Sequence, residues 1–220
     1  MFYPRLALSR IFREQNRTIQ NATAAGIVVT CHVSPPRNRS MKALVLLSVL
    51  LGFSAPTFAV EIALVNPGFE MPMKAGEIPG WNQMQHAGAL AYEMTTDTKQ
   101  FHGGKHSFRM YRTIAQVYGS LEQKVSAAKL IGKTVELSAQ LRTADVGKKG
   151  WRLILNFMSA DGNSIAQKKS ELMIGTSKKW QTISLQDKVP VATTWISVSV
   201  VLLDEGTGWL DDVRLRTVDK

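Results

Sequence analysis

From residue 60 onward the chain predicts an all-β fold, a sandwich of two antiparallel sheets. Three observations carry this. After Pro79-Gly80, short runs of β-forming and apolar residues recur between Gly, Asp, Asn and Lys. Several of these runs alternate apolar and polar residues with a period of two, as strands with one wet face do. No long stretch carries the 3.6-residue apolar period of an amphipathic helix.

Taken in order, the expected strands are 62–65, 90–94, 107–113, 119–125, 134–143, 151–158, 171–174, 181–189, 195–203 and 209–216, the last following the turn Gly206-Thr207-Gly208. In the strand at 134–143, Val135, Leu137, Ala139 and Leu141 turn to the core, so Gln140 and Arg142 turn away. The same rule sends Phe108 and Met110 inward, Arg109 and Tyr111 outward, with Tyr118 opening the next strand. Leu153, Leu155 and Phe157 go inward, Arg152 and Asn156 outward; Trp151 reads either as an exposed rim platform after Lys148-Lys149-Gly150 or, by its parity with Leu153, as an inward residue, and Trp195 shares the wet parity of Ser197 and Ser199. Asp161-Gly162-Asn163 reads as a hairpin turn, because these residues tolerate positive φ.

Upstream lies Met41-Lys42, the apolar run Ala43 to Phe53, and Ser54-Ala55-Pro56-Thr57-Phe58-Ala59. This is the charged, apolar and small-residue order of a secretory leader at 41–59, cut after Ala59. The run is well short of the roughly twenty residues a membrane-crossing helix needs, so no retained membrane anchor is expected. The expected location is exported, either periplasmic or extracellular. Residues 1–40 read either as an upstream mis-start or as a disordered basic tail, with Arg5, Arg10, Arg13, Arg17, Arg37 and Arg39 against Glu14. Residues 60–220 make one domain.

The whole chain has 27 basic and 17 acidic residues. Seven basic and one acidic residue fall in 1–59, so the remainder is left at only +4. That mild balance gives no electrostatic ground for a nucleic-acid partner. The only cysteine, Cys31, lies upstream of the leader, which removes disulfides and a thiol nucleophile from the domain.

Four motifs recur in a set order: Asn66-Pro67-Gly68-Phe69-Glu70, Pro79-Gly80-Trp81, His102-Gly103-Gly104-Lys105-His106-Ser107-Phe108, and Gly208-Trp209-Leu210-Asp211-Asp212-Val213-Arg214-Leu215. Together with Trp180 and Val189-Pro190, this pattern resembles the carbohydrate-binding modules of families four, nine and twenty-two over nearly all of 60–220. The resemblance implies a jelly-roll β-sandwich, like the galactose-binding fold, that binds soluble glycans and carries a structural calcium. It places the calcium on Glu70 and Asp211 with the carbonyls of Gly68, His102 and Lys105, an oxygen set of the kind calcium takes. Between Asp211 and Asp212, alternation groups Asp211 with Val213 and Leu215, so its carboxylate is expected to be the buried one. His102 and His106 read as turn residues rather than ligands of a softer metal. The resemblance also gives Trp81, Trp180 and Trp209 packing roles.

A pyranose offers C–H-rich faces and hydroxyl rims, which aromatic rings and Arg, Gln or Asn side chains meet. Arg109, Tyr111, Tyr118, Gln140, Arg142 and Asn156 are therefore expected to line one concave sheet, with Trp195 flanking it. The expected function is non-catalytic binding of a polysaccharide or oligosaccharide. The alternative is a structural or protein-interaction sandwich of the cell envelope without glycan binding. A glycoside hydrolase is less expected, since most carboxylates are accounted for by turns or the calcium set and no G-x-S-x-G elbow occurs.

Overall fold

The computed structural model describes residues 59–218. The expectations for 1–40 and for the leader before Ala59 lie outside the described residues. Within them run twelve strands: β1 (Glu61–Ile62), β2 (Asn82–Gln85), β3 (Tyr92–Asp97), β4 (Ser107–Arg112), β5 (Gly119–Ser126), β6 (Thr134–Ala144), β7 (Val146–Met158), β8 (Ser164–Lys169), β9 (Met173–Gly175), β10 (Gln181–Lys188), β11 (Trp195–Leu202) and β12 (Thr207–Thr217). They form two antiparallel sheets. The first has the order β10-β6-β12-β4-β3, with β1 added to β12. The second has the order β2-β5-β11-β7-β8, with β9 added to β7.

The alternation read from β6 holds along its whole length, with every second residue buried from Val135 to Thr143. Leu137 and Leu141 of the first sheet meet Leu153, Leu155, Phe157, Val198 and Val200 of the second in one core. Burying that apolar area is the main force holding the sheets together. Trp151 is fully buried and packs on Gly208, which rules out a rim platform there and leaves the inward reading of its parity. The expected turn at Asp161-Gly162-Asn163 does join two strands, β7 and β8, and the Ser159 N–H donates to the Asn163 carbonyl at 2.9 Å to close it.

Two strands were not expected from the sequence. Asn82-Gln83-Met84-Gln85 and Ser164-Ile165-Ala166-Gln167-Lys168-Lys169 are edge strands whose mostly polar residues lack a core-facing stripe. The first expected strand is also shorter than 62–65. Beyond Ile62 the backbone of Val65 is paired by a side chain instead of a strand: its N–H donates to Gln123 Oε1 at 2.7 Å and its carbonyl accepts from Gln123 Nε2 at 2.9 Å. Gln123 Nε2 also reaches the Gly80 carbonyl at 2.9 Å, tying the two entry segments to β5.

Candidate functional site

Each sheet has an outer face turned from the core, and the two faces differ. On the first, cross-strand register sets Thr95, Arg109, Trp209 and Arg142 side by side, with Tyr111 and Thr207 in the next row. Asp211, Gln140 and Thr182 form a third row. Arg109 reaches Glu93 at 2.8 Å and lies 5.6 Å from the Tyr111 ring centre. Arg142 donates to Gln100 at 2.6 Å, and Gln140 donates to Thr182 at 2.9 Å. Trp209 is therefore not a core residue, although it is only 9% exposed. Its indole N–H donates to Asp97 at 2.9 Å.

The loop between β3 and β4 converges on the residues expected to hold a metal. Asp211 is fully buried. Its Oδ2 accepts the His102 and Gly103 N–H groups at 2.7 and 3.0 Å, and its Oδ1 accepts the Asp212 N–H at 2.7 Å. Glu70 Oε1 accepts the Lys105 and His106 N–H groups at 2.8 and 3.0 Å. Gly68 lies between them, since a Cβ built there would sit 3.8 Å from Asp211 Oδ1 and 4.0 Å from Glu70 Cγ. His102 Nδ1 and His106 Nδ1 lie 2.6 and 3.0 Å from Asp212 and Glu70. Gly68, Glu70, His102, Lys105 and Asp211 thus occupy one place, at which the loop meets the first and last motifs. Among the described residues no group of three or more His, Cys, Asp or Glu is arranged to hold a metal.

Asp211 is the buried member of the pair, but alternation is not the reason. A bulge between Asp211 and Arg214, with Asp212 at φ 47°, shifts the phase of β12, so that Leu210 and then Val213 and Leu215 face the core. Asp211 opposes Gln140 on the outer face and is buried by the β3–β4 loop above it.

Burial pushes the Asp211 carboxyl up to about 6, against the pull of its three N–H donors. Asp204 is held below its ordinary range by the Lys149 and Glu205 N–H groups and by Arg112, 3.1 Å away. Burial works to raise Asp97 and Glu70, but hydrogen bonds outweigh it and both end lower. The signs give opposite slopes. Asp211 binds its proton more tightly folded than unfolded, so in chelator-treated, metal-free buffer stability is expected to rise as the pH falls from about 6 toward its unfolded value of 3.8. Glu70, Asp97 and Asp204 stabilise the fold above their unfolded values of 4.5 and 3.8, and that contribution is lost as the pH drops through their lower folded values. Chemical denaturation across pH 2–7 is expected to give its maximum on the acid side of neutrality; a monotonic rise to pH 7 would contradict the Asp211 assignment.

The second sheet's outer face has a different character. Its register aligns Asn82, Glu122, Ser199 and Ile154 in one row, Lys124, Ser197, Asn156 and Gln167 in the next, and Ser126, Trp195, Met158 and Ser164 beyond. Ser197 donates to Glu122 at 2.5 Å, Lys124 stands 3.6 Å from the same carboxylate, and Ser164 donates to Asn156 at 2.5 Å. Arg152 belongs to this face too, and its Nε is buried without a partner. At the β2–β5 edge of this face a cleft of about 440 Å³ is lined by Glu77, Trp81, Asn82, Glu122 and Lys124. Trp195 heads the face with 42% of its surface exposed.

The six residues expected on one concave sheet are therefore divided. Arg109, Tyr111, Gln140 and Arg142 share the first outer face. Asn156 lies on the second, and Tyr118 leads into β5 of that sheet, with its carbonyl accepting the His86 N–H at 3.0 Å and its ring edge-on to His86. The reason is physical: alternation separates core from solvent but cannot say which of two outer faces a residue reaches. Glu122 was missed as a site residue, although its parity, opposite the buried Leu121, would have placed it outside.

No family model matches the chain, and no curated protein matches it. Solved structures do share its fold. The enzymatically active domain of bacteriophage CBA120 tailspike protein 4 matches with a TM-score of 0.57 and 14% identity, over 70% of this chain and 21% of that one. A family 16 carbohydrate-binding module matches with a TM-score of 0.51 and 18% identity, over 71% of this chain and 99% of that one. A family 4 carbohydrate-binding module matches with a TM-score of 0.49 and 12% identity, over 71% of this chain and the whole of that one. The chain spans about a fifth of the tailspike domain's length. The fold is the antiparallel jelly-roll sandwich found among carbohydrate-binding modules, as the sequence motifs led one to expect.

Proposed function

We propose that the protein is an exported, non-catalytic glycan-binding module of the kind its motifs resemble, gripping a polysaccharide or oligosaccharide across the outer face of the second sheet. One observation carries this: Trp195 presents an open indole at the head of a face whose nearest rows carry hydroxyl, amide and carboxylate groups among Lys124, Ile154 and Met158. The indole suits the C–H face of a sugar ring, and Glu122, Asn156 and Gln167 suit its hydroxyls. In affinity electrophoresis against a broad panel of soluble polysaccharides, Trp195→Ala is expected to weaken binding at least about tenfold, as loss of an aromatic anchor does. Binding unchanged in Trp195→Ala, or absent across the panel, would sink this reading. The alternative, the outer face of the first sheet, rests on Tyr111, 38% exposed beneath Arg109; loss of binding in Tyr111→Ala alone would move the site there. A catalytic role would appear as reducing-sugar release by the purified protein.

The calcium reading belongs to the same proposal. The buried Asp211 carboxylate has only N–H groups to offset its charge, and Glu70 lies beside it, so a divalent cation fits the chemistry of this corner. The remaining ligands are the carbonyls of Gly68, His102 and Lys105. Bound there, calcium would fasten the β3–β4 loop to the last strand.

A further inference from the structure

A second pocket, of about 320 Å³, opens between β9 of one sheet and β10 of the other. Its inner wall carries Thr143, which the alternation of β6 turns inward and which is 1% exposed. The Thr143 hydroxyl has no hydrogen-bond partner in the protein. A buried hydroxyl is costly to leave unpaired, and such groups are nearly always satisfied by protein, water or ligand.

The wall beside it is fixed in advance. Ser177 pairs with the Thr143 backbone as a strand would: its Oγ accepts the Thr143 N–H at 2.9 Å and its own N–H donates to the Thr143 carbonyl at 3.0 Å. One residue earlier, the Thr176 hydroxyl is held by Asp145, accepting from its N–H and donating to its carboxylate, each at 2.9 Å. Met173 and Ile183 supply apolar surface, while Gln181 and Glu171 supply a planar amide and a carboxylate. The lining contains no Lys, Arg or His, so an anion would meet only negative charge there. A group with an apolar side and hydroxyl donors meets all of these at once.

We propose that this pocket is a second binding site, separate from the Trp195 face, for a neutral hydroxylated ligand about the size of one sugar ring, with the Thr143 hydroxyl as its deepest contact. The test is an amide-resolved NMR titration of the full chain with D-galactose, D-glucose, D-xylose and their methyl β-glycosides in the millimolar range. At least one probe is expected to shift Thr143, Met173 and Ser177 together. Thr143→Val keeps the shape of the side chain and removes the hydroxyl; it is expected to fold with unchanged or higher stability and to weaken that probe about tenfold. Trp195→Ala is expected to leave these shifts intact, which separates this site from the sheet face. The proposal is overturned by no saturable shift at these residues with any probe, by equal affinity in Thr143→Val, or by a crystal soaked in the probes that holds only an ordered water on the Thr143 hydroxyl.

Discussion

Asp211→Ala is expected to lower the melting temperature by about 10 °C. Its carboxylate is the acceptor for three buried or half-buried N–H groups, from His102, Gly103 and Asp212, and alanine leaves all three without a partner. At about 1–3 kcal/mol for an unsatisfied buried group, the combined loss is about 3–4 kcal/mol. For a chain of this size each kcal/mol is worth about 2–4 °C. Differential scanning calorimetry reads the shift. With calcium the contrast should widen, because an ion that binds only the folded state raises its stability. The wild-type melting temperature is expected to rise with millimolar calcium and to fall with chelator, while that of Asp211→Ala stays put. A calcium response of equal size in both proteins would remove Asp211 from the ion's ligands, and no response in either would remove the ion.

The second large effect is expected at Gly208. It sits where β12 passes under the fully buried Trp151, and a Cβ there would lie 2.5, 2.7 and 2.8 Å from Cδ2, Cε2 and Cε3 of the indole. Real Cβ atoms do not come so close, and neither neighbour can retreat: the ring is packed on all sides, and Gly208 is held between Met110 of β4 and Thr143 of β6. Gly208→Ala is expected to cost about 3 kcal/mol in urea denaturation. Combined with Trp151→Leu, which vacates the ring, it should cost much less than the two changes summed. Simple additivity would mean that the indole does not impose the glycine.

Much of this architecture can be read in the residues themselves. Val135 to Leu141 states its own burial, because a period of two with apolar residues on one side has few other solutions. Asp161-Gly162-Asn163 likewise announces its turn. β2 and β8 are silent for the opposite reason: edge strands draw their order from one neighbour and need no apolar stripe. For the site, the motifs bring Gly68, Glu70, His102, Lys105 and Asp211 into view together, yet the covering of Asp211 depends on a loop whose path no local pattern encodes. The bulge at Asp212 is another such event, since one inserted residue reverses every facing argument beyond it. The division of Asn156 and Tyr118 from Arg109, Tyr111, Gln140 and Arg142 follows from strand order, a long-range property absent from any single run.

β1 and the end of β12 lie in register, Glu61 opposite Arg216, and the Thr217 N–H donates to the Val60 carbonyl at 2.9 Å. The two ends of the described region are therefore neighbours. A short peptide joining Val60 to Thr217 would close residues 60–217 into a ring, and a cut in the β7–β8 turn would then create new ends without breaking a ladder. By the same geometry the sandwich can be spliced into a surface loop of another protein, entering and leaving through a gap only one strand pair wide.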